Sequence, residues 1–320
     1  MIRDTTVEAG ALLDMVRNEP SLRTSMPSTA PISVIIPHHN RCQLIGAALA
    51  SIQQQTIKPA EILIVDDASD QDQRSRLSDY AGIARIIYID KNVGPAQARN
   101  VGMDAASGEF LAFLDDDDVW VPDKLERQWN ILKQTPELAA VTSSFVAVYD
   151  GNKEVVVRGH AVEIITLKAA LEGTPALLQT MLVRQPVLKA LGGFDREFPP
   201  IEDQEFWIRF AAAGYKALHL EQPFVRVDRR RRERLTNHWW PYLRSQLRVV
   251  WKHRSLYETV LGRGSGRDMY SKQIRRAGIR KGGVAGRVVY AAGCILRLEL
   301  RALLRLATTG RMSQVPYSRY

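Results

Sequence analysis

Short aliphatic runs alternate with helix-like segments through the first third of the chain, and this alternation constrains the fold more than any other feature. Each run is typical of a buried strand, because consecutive aliphatic residues leave no face for water. The segments between the runs carry apolar residues at helical spacing. Strand and helix in alternation predict an α/β fold, a mostly parallel sheet with helices on both faces. The predicted strands are Ile32–Ile36, Glu61–Val65, Arg85–Ile89 and Phe110–Leu114.

A cluster of polar residues follows each predicted strand. In sheets of this kind ligands bind beyond the carboxyl ends of the strands, so we expect the clusters to converge on one crevice. Helices are predicted from a cap at Asn40 to Gln55, over Pro95–Ala106 and over Gln204–Ala213. The polar clusters are Pro37–Asn40, Asp66–Asp70, Asn92–Gly94 and Asp115–Asp118.

The cluster from Asp115 to Asp118 is four consecutive aspartates between a strand and Val119-Trp120. Like charges on adjacent residues repel each other, and a divalent cation carrying a diphosphate would offset the repulsion. Taken alone, the run also fits a solvated acidic turn or a calcium loop. The chain has no G-x-x-x-x-G-K-[ST] loop and no G-x-G-x-x-G after its first strand, which argues against glycine-rich phosphate sites.

Charge divides the chain into two parts. Residues 1–225 hold 21 Lys and Arg against 30 Asp and Glu, a net of −9, whereas residues 226–320 hold 23 against 5, a net of +18. This asymmetry indicates chemistry in the first part and attraction to an anionic partner in the second. We therefore predict three regions: an N-terminal extension over 1–30, a catalytic domain over 31–225 and a basic, helical C-terminal region over 226–320.

The basic region fits an anionic membrane surface. Arg297, Arg301 and Arg305 recur at four-residue spacing, and the longest uncharged run, Val288–Leu296, is far shorter than the roughly 20 residues of a membrane span. A helical bundle with a solvated arginine face is the alternative. Nucleic-acid binding is a second alternative, disfavoured because no known nucleic-acid module is visible.

The sequence also suggests a compartment. Two distant cysteines, Cys42 and Cys294, match no metal or redox spacing and fit reduced thiols, and the N-terminus carries acids where a signal peptide needs an apolar stretch. We expect a cytoplasmic protein, peripheral at the inner face of the plasma membrane.

Six short motifs occur in order between residues 31 and 226. They are PISVIIPHHN, EILIVDDAS, NVGPAQARNVG, GEFLAFLDDDDVWVPDKLE, LGGFDREF and EDQEFWIRFAAAG. This set resembles family-2 glycosyltransferases with the GT-A fold. The resemblance implies an inverting hexosyltransferase that uses a nucleotide-sugar, UDP-linked such as UDP-glucose, together with Mn²⁺ or Mg²⁺. It also implies a glycan acceptor in bacterial exopolysaccharide or surface polysaccharide synthesis, and the basic region indicates a lipid-linked acceptor, because such acceptors reside at an anionic membrane surface.

The resemblance assigns roles within the acidic run. Asp115 and Asp117 match the D-x-D element, which holds the metal on the diphosphate, with one aspartate near the ribose. Asp118 matches the acid that follows this element and shapes the sugar pocket. Asp116 is included in the donor-binding run, although strand alternation points its side chain the other way.

Three further motifs are implied to bind the donor. Asp67 matches the residue that accepts the N3–H of uracil, with Asp66 the less favoured choice and an Asx-turn the alternative. Pro37 and Asn40 match a P-x-Y-N element in which His39 replaces the usual aromatic phenol. Asn92, Gly94 and Arg99 match an N-x-G…A-R-N element. In it Arg99 either contacts the base or diphosphate or forms a structural ion pair.

The last two motifs are implied to serve the transfer step and the acceptor. Glu202 and Asp203 match an E-D pair, with Glu202 among the residues that bind the nucleotide-sugar and Asp203 as the general base. Alone, such a pair also fits the acidic start of a helix. The turn Gly192–Asp195 lies near the acceptor in the family, and Trp207 fits a core residue better than a sugar platform.

Two departures from the family limit what the resemblance implies. The Q-x-x-R-W element of processive synthases is missing, which predicts the addition of one sugar per encounter. Asp228 stands where many relatives carry a histidine near a third metal ligand, so the sequence does not identify the third protein ligand of the metal. A nucleotidyltransferase of similar fold is the remaining enzyme alternative, disfavoured because PHHN stands where those enzymes have a glycine-rich loop.

Overall fold

The computed structural model describes residues 29–157, 163–230 and 238–297. The predicted N-terminal extension lies almost entirely outside these ranges, as do Arg301 and Arg305 of the predicted arginine stripe.

Within these ranges ten strands form one sheet, in the order β3-β2-β1-β4-β9-β6-β10-β5, with β7 paired to β6 and β8 paired to β10. The strands are β1 (Thr29–His38), β2 (Lys58–Asp67), β3 (Arg85–Ile89), β4 (Phe110–Phe113), β5 (Val119–Trp120), β6 (Leu138–Tyr149), β7 (Lys153–Val157), β8 (Glu163–Ile164), β9 (Leu182–Arg184) and β10 (Lys216–Asp228).

The first half of the sheet is parallel, as the alternation predicts: β1 pairs in parallel with β2 and β4, and β2 with β3. The second half is mixed. Short β9 lies antiparallel between β4 and β6, and β5, β7 and β8 add antiparallel pairs. Among the described strands of this half, only β6 and β10 are parallel. The predicted "mostly parallel" sheet therefore holds for the half that the aliphatic runs revealed, because β9 and β5 are too short to give such a signal.

Eleven helices are present within the described ranges. They are α1 (Cys42–Gln53), α2 (Gln71–Leu77), α3 (Pro95–Ala105), α4 (Lys124–Gln134), α5 (Leu167–Glu172), α6 (Gln185–Ala190), α7 (Glu202–Ala212), α8 (Trp239–Lys252), α9 (Arg254–Leu261), α10 (Ser265–Lys281) and α11 (Gly283–Arg297). The predicted cap of α1 is wrong: Arg41 occupies the N-cap position. Asn40 adopts φ 52°, and its side-chain oxygen accepts the N–H of Asp70 at 2.8 Å instead.

Helices cover both faces of the sheet, as predicted. On one face α1 and α4 pack their apolar residues, including Leu49 and Trp129, against the strands. On the other face α3 and α7 do so, and Val249 of α8 and Tyr257 of α9 join the same cluster. The two layers place an apolar core on each side of the sheet.

The C-terminal region is helical, as predicted, and it packs on the catalytic part of the chain. The hydroxyl of Tyr257 donates to the carbonyl oxygen of Leu171 at 3.1 Å, and Gln246 of α8 donates to Gln204 of α7 at 3.1 Å. Among the described helices, none is both long enough and apolar enough to cross a membrane.

Candidate active site

Asp115, Asp117 and Asp118 meet in the turn that joins β4 to β5. The N–H of Asp118 donates to the carbonyl oxygen of Asp115 at 3.1 Å, so the chain reverses within the acidic run. One carboxylate oxygen of each residue lies within 4.8 Å of the other two. Mg²⁺ and Mn²⁺ prefer hard oxygen donors, and this donor set fits either ion. Asp115 and Asp117, predicted as metal ligands, thus lie together.

Asp118 lies in this same cluster. It is 2% exposed, and its carboxylate accepts from Gln179 Nε2 and from the N–H of Asp228, both at 2.9 Å. Burial raises the pKa of Asp118 well above its usual range, and the charges of Asp115 and Asp117 raise it further. The third carboxylate of the cluster is therefore Asp118 rather than Asp228, whose own carboxylate pairs with Arg230 at 2.6 Å.

Asp116 lies beneath the turn, in the interior. It is 4% exposed, and its Oδ2 atom lies 2.9 Å from Nδ1 of His38. Arg41 reaches the run from outside, with Nη1 at 3.5 Å from both Asp116 Oδ1 and Asp117 Oδ2. The structure therefore does not bring Asp116 to the donor side with its neighbours. A turn, rather than continued strand alternation, separates their side chains.

Arg99 joins the acidic run to the E-D pair. This side chain of α3 is 5% exposed, and it donates to Asp115 Oδ1 at 2.6 Å and to Glu202 Oε1 at 2.9 Å. The two carboxylates are 87 positions apart in sequence. Their shared guanidinium brings the end of β4 and the start of α7 to one place. The structural ion pair, one of the two alternatives for Arg99, is present.

Glu202 and Asp203 begin α7, and both titrate unusually high. Burial raises the pKa of Glu202 to about 7, although the positive charge of Arg99 lowers it. Burial also raises the pKa of Asp203 to about 6. A hydrogen bond from the N–H of Gln204 to Asp203 Oδ1, at 2.8 Å, lowers this pKa but does not offset the effect of burial. A carboxylate with a pKa near neutrality is suited to accept a proton under physiological conditions.

Asp67 holds the loop that contains Asn92 and Gly94. Its two carboxylate oxygens accept the N–H groups of Val93 at 2.7 Å and Gly94 at 2.8 Å. Its carbonyl oxygen accepts Asn92 Nδ2 at 3.3 Å. Gly94 adopts φ 85°, which favours glycine. Asp67, which is 4% exposed, and this loop thus meet at the strand ends, as predicted.

His39 and Asn40 reach the same edge of the sheet from the end of β1, just after the buried Pro37. His39 Nδ1 donates to the carbonyl oxygen of Asp67 at 2.7 Å, and the His39 side chain is exposed. Nδ1 carries the proton in that bond, and Nε2 lies 3.5 Å from Asn40 Nδ2. The β1, β2 and β3 clusters therefore converge as the sequence predicts.

Asp66, the less favoured choice for base recognition, lies inside the protein. It is fully buried and accepts Arg74 Nε at 2.8 Å and the N–H of Ser69 at 3.3 Å. Its neighbour Asp67 is the residue of the pair that borders the loop.

The turn Gly192–Asp195 is tied to α3 by Asn100. Asn100 donates to the carbonyl oxygen of Phe194 and accepts its N–H, both at 2.8 Å. Gly193 has φ 71°, and a Cβ there would lie 2.4 Å from Asn100 Oδ1. Trp207 is fully buried and donates to the carbonyl oxygen of Ala176 at 2.8 Å, so it is a core residue and not a sugar platform.

Sequence reasoning missed several side chains at this site. Gln179 and Arg41 contact the acidic run, His38 supports Asp116, and Asn100 anchors the turn beside α7. His38 and Asn100 could have been predicted, because His38 lies in the motif PISVIIPHHN and Asn100 in NVGPAQARNVG. Gln179 carried no signal, since it lies in a short connecting segment far from any motif.

Residues 33–185 match the family described as "Glycosyl transferase family 2". The match begins in β1 and includes the Asp67 loop, Arg99 and the whole acidic run. Residues 33–185 belong to glycosyl transferase family 2. A nucleotidyltransferase is therefore not the favoured enzyme class.

Relatives of the family-2 domain align over part of their length. An uncharacterized glycosyltransferase of Haemophilus influenzae is 29% identical over 180 residues, which is 56% of this chain and 61% of that protein. The putative teichuronic acid biosynthesis glycosyltransferase TuaG of Bacillus subtilis is 28% identical over 200 residues, 60% of this chain and 76% of that protein. WfgD of Escherichia coli, a UDP-Glc:alpha-D-GlcNAc-diphosphoundecaprenol beta-1,3-glucosyltransferase, is 34% identical over 102 residues, 32% and 40% of the two chains.

Solved structures share the fold. TarS of S. aureus in complex with UDP-GlcNAc superposes with a TM-score of 0.59 at 18% identity, covering 86% of each chain. A longer TarS structure gives a TM-score of 0.59 at 15% identity, covering 90% of this chain and 59% of that one. At such identities the likeness concerns the fold alone. The GT-A fold that the motifs implied is thereby confirmed.

Proposed function

We propose that this protein is an inverting, metal-dependent hexosyltransferase. It transfers a sugar from a UDP-sugar to a saccharide or lipid-linked acceptor in the synthesis of a bacterial surface polysaccharide. The observation that carries the proposal is the Arg99 bridge between Asp115 and Glu202, because it joins the candidate metal site to the residue directly before Asp203, the candidate base. A glycosyltransferase of this kind needs both within the length of one sugar.

Asp203 is the proposed general base. Its carboxylate takes the proton from an acceptor hydroxyl as that oxygen attacks the anomeric carbon on the face opposite the diphosphate. The carbon–oxygen bond to the diphosphate breaks, its electron pair leaves with the phosphate oxygen, and the configuration at the anomeric carbon inverts. Glu202 stays paired with Arg99 during this step and keeps the start of α7 in position.

The acidic cluster is the proposed holder of Mn²⁺ or Mg²⁺. Its donors are Asp115, Asp117 and Asp118, three carboxylates within reach of one ion. When bound, the ion stabilises the negative charge that develops on the departing diphosphate. Arg41 adds a positive charge at the edge of the same cluster.

Uracil is the proposed base of the donor. Asp67 borders the ligand side of the strand ends and retains lone pairs that suit the N3–H of uracil. His39 and the loop around Asn92 and Gly94 lie beside it. The names of two relatives supply further support, since WfgD is described as using UDP-Glc and TarS has been solved with UDP-GlcNAc.

The acceptor class rests on the relatives. TuaG is described for teichuronic acid biosynthesis and WfgD for a diphosphoundecaprenol-linked acceptor. We extend this class to the present chain, with the acceptor presented at the cytoplasmic face of the plasma membrane. The net charge of +18 over residues 226–320 suits such an anionic surface.

A donor panel tests the proposal. UDP-, GDP- and dTDP-sugars are incubated with the protein and Mn²⁺, Mg²⁺ or EDTA, and both binding and slow donor hydrolysis are measured. We expect binding and hydrolysis only with UDP-sugars, and hydrolysis only with a divalent ion. Metal-independent hydrolysis, or a preference for another nucleotide, would contradict the proposal.

A further inference from the structure

An uninterrupted apolar stripe runs along the outer face of α11. Val284, Val288 and Ile295 are 70%, 65% and 61% exposed, respectively. They recur at near-helical spacing, so their side chains share one face. The remaining members are Ala285, Ala292 and Leu296, all exposed, and together these six residues form what we call the α11 stripe. It carries no charged side chain over about 18 Å of helix.

The opposite face of α11 packs against α10. A Cβ on Gly286 would lie 2.4 Å from the carbonyl oxygen of Gly278, and Ser271 Oγ donates to the carbonyl oxygen of Gly293 at 2.7 Å. The two helices therefore form a tight antiparallel hairpin in which glycines permit backbone contact. Because this face is filled, the α11 stripe is an additional surface and not the buried side of an ordinary amphipathic helix.

Basic side chains flank the α11 stripe at both ends. Exposed Arg280, Lys281 and Arg287 lie around its start. Because α10 and α11 are antiparallel, exposed Arg267 on the first turn of α10 lies at the level of its end, and exposed Arg263 just precedes α10. Residues 238–297 together hold 13 Lys and Arg against 2 Asp and Glu. An apolar strip bordered by cations complements the interface of an anionic bilayer, where acyl chains lie next to phosphate groups.

The start of α8 lies at the same end as the beginning of the α11 stripe. Lys281 Nζ lies 6.0 Å from the ring centroid of Trp239, and the neighbouring Trp240 is 56% exposed. Tryptophan favours the boundary between acyl chains and headgroups. Six residues further along α8, about 9 Å along its axis, Gln246 donates to Gln204, the residue after Asp203. Helix α8 therefore runs from this end of the stripe to the proposed general base.

We propose that the α11 stripe, with Trp240 and the flanking basic residues, is a docking surface for an anionic phospholipid bilayer. The hairpin lies in the interface, and α8 holds the acceptor side of the catalytic centre against the surface where a lipid-linked acceptor resides. The proposal rests on the proposed function only for the identity of that acceptor. The charge of residues 238–297 favours phospholipid over a second copy of this chain, because two such surfaces would repel each other.

Vesicle co-sedimentation of the full chain, without donor or acceptor, tests this surface. The vesicles contain either phosphatidylcholine alone or phosphatidylcholine with phosphatidylglycerol. We expect binding to the anionic vesicles, weaker binding at high salt and little binding to the neutral ones. Val288→Glu and the double variant Val288→Glu/Ile295→Glu should bind at least about tenfold more weakly, because each places a charge in the apolar strip. Ile83→Glu, at a site that is 40% exposed and far away in sequence, is the matched control and should bind as wild type.

Thermal unfolding and light scattering on the same samples complete the test. The three variants should unfold as the wild type does, since the substituted side chains are exposed. If the wild type does not bind anionic vesicles, the proposal is overturned. It is also overturned if the Val288→Glu/Ile295→Glu variant binds them as strongly as the wild type. A wild-type dimer that this variant converts to a monomer would assign the stripe to a second copy and also overturn it. UDP-sugar hydrolysis, measured separately, reports on the catalytic proposal alone.

Discussion

Arg99 shows how single residues organise the candidate site. It is nearly buried and holds Asp115 from the sheet and Glu202 from α7 with one guanidinium. A lysine cannot make two such contacts in a fixed plane, which is why an arginine suits this position. The pair of contacts also brings positive charge next to Asp203, where it moderates the effect of burial on the pKa of that residue.

The first prediction concerns Asp117. The variant Asp117→Asn should lose metal-dependent donor hydrolysis by a factor of about 10² or more, because it removes one charged oxygen donor from the cluster. The fold should persist, since this side chain is partly exposed and lies in a turn. Hydrolysis with Mn²⁺ and a thermal melt measure the two effects. Asp104→Asn, an exposed site on α3, is the control, and wild-type hydrolysis by Asp117→Asn would refute the metal assignment.

The second prediction concerns the proton that Asp203 accepts. Asp203→Asn should bind the UDP-sugar as wild type but transfer about 10²–10⁴-fold more slowly, because an amide cannot act as the base. In the wild type, transfer should fall as the pH drops below about 6, where the carboxyl group becomes protonated. The measurements are kcat/KM against pH and donor affinity by calorimetry. Equal loss of donor binding and transfer would instead indicate a structural role.

At the scale of elements, α10 and α11 depend on glycine for their contact. Gly278, Gly286 and Gly293 each lack the space for a Cβ, and the nearest atoms include backbone. Backbone atoms cannot move aside as a flexible side chain can, so the hairpin tolerates no larger residue at its centre. The exposed α11 stripe is thus held on a rigid support.

The third prediction tests this support. Gly286→Ala should lower the free energy of unfolding by about 1–3 kcal/mol, because the new Cβ would lie 2.4 Å from the Gly278 carbonyl oxygen. Helix propensity alone would favour alanine by up to about 1 kcal/mol, so a loss has to come from the contact. Urea denaturation measures the change. Gly82→Ala, where a Cβ meets nothing within 4 Å, should stay within about 0.5 kcal/mol of wild type.

Elements also explain how the acidic run is arranged. Strand alternation predicted that the Asp116 side chain points away from its neighbours, and it does, but a turn and not a strand separates them. That turn moves Asp118 into the cluster with Asp115 and Asp117 and sends Asp116 to His38. Periodicity describes residues inside a strand and carries no information about a turn closed by one backbone hydrogen bond.

At the scale of the whole molecule, Glu205 connects the catalytic part to the C-terminal helices. Fully buried, it accepts from Lys252 at 2.7 Å and from His253 at 3.3 Å, and it pairs with Arg209 at 2.9 Å. Burial alone would raise its pKa, but the His253 hydrogen bond and the charges of Arg209 and Lys252 lower the pKa to about 2. This network lies two residues beyond Asp203, so the seating of α8 and the base are coupled.

The fourth prediction follows from that lowered pKa. Glu205 should stabilise the fold fully above its ordinary pKa of about 4.5 and lose this contribution as the pH falls towards 2, because protonation removes the charge that its partners bind. Glu205→Gln should therefore cost about 1–3 kcal/mol at pH 7 and unfold with a weaker pH dependence in acid. Urea denaturation at several pH values measures both. Glu137→Gln, an exposed site, should behave as wild type, and an unchanged stability of Glu205→Gln would contradict the network.

The sequence alone determined the α/β class, the parallel half of the sheet and the order of the family-2 motifs. It could do so because aliphatic runs, helical spacing and strand-end polarity are local patterns, and the position of a strand end already predicts where its polar residues go. The pairing of Asp67 with the loop around Gly94 was foreseeable on the same grounds.

Tertiary structure alone decided how the site is assembled. The Arg99 bridge, the contact of Gln179 with Asp118 and the burial that raises the pKa of Asp203 to about 6 each join segments far apart in the chain. The apolar stripe of α11 likewise became visible only when α10 was found to fill the opposite face. Contacts and desolvation depend on what packs beside a residue, and no local pattern records that neighbour.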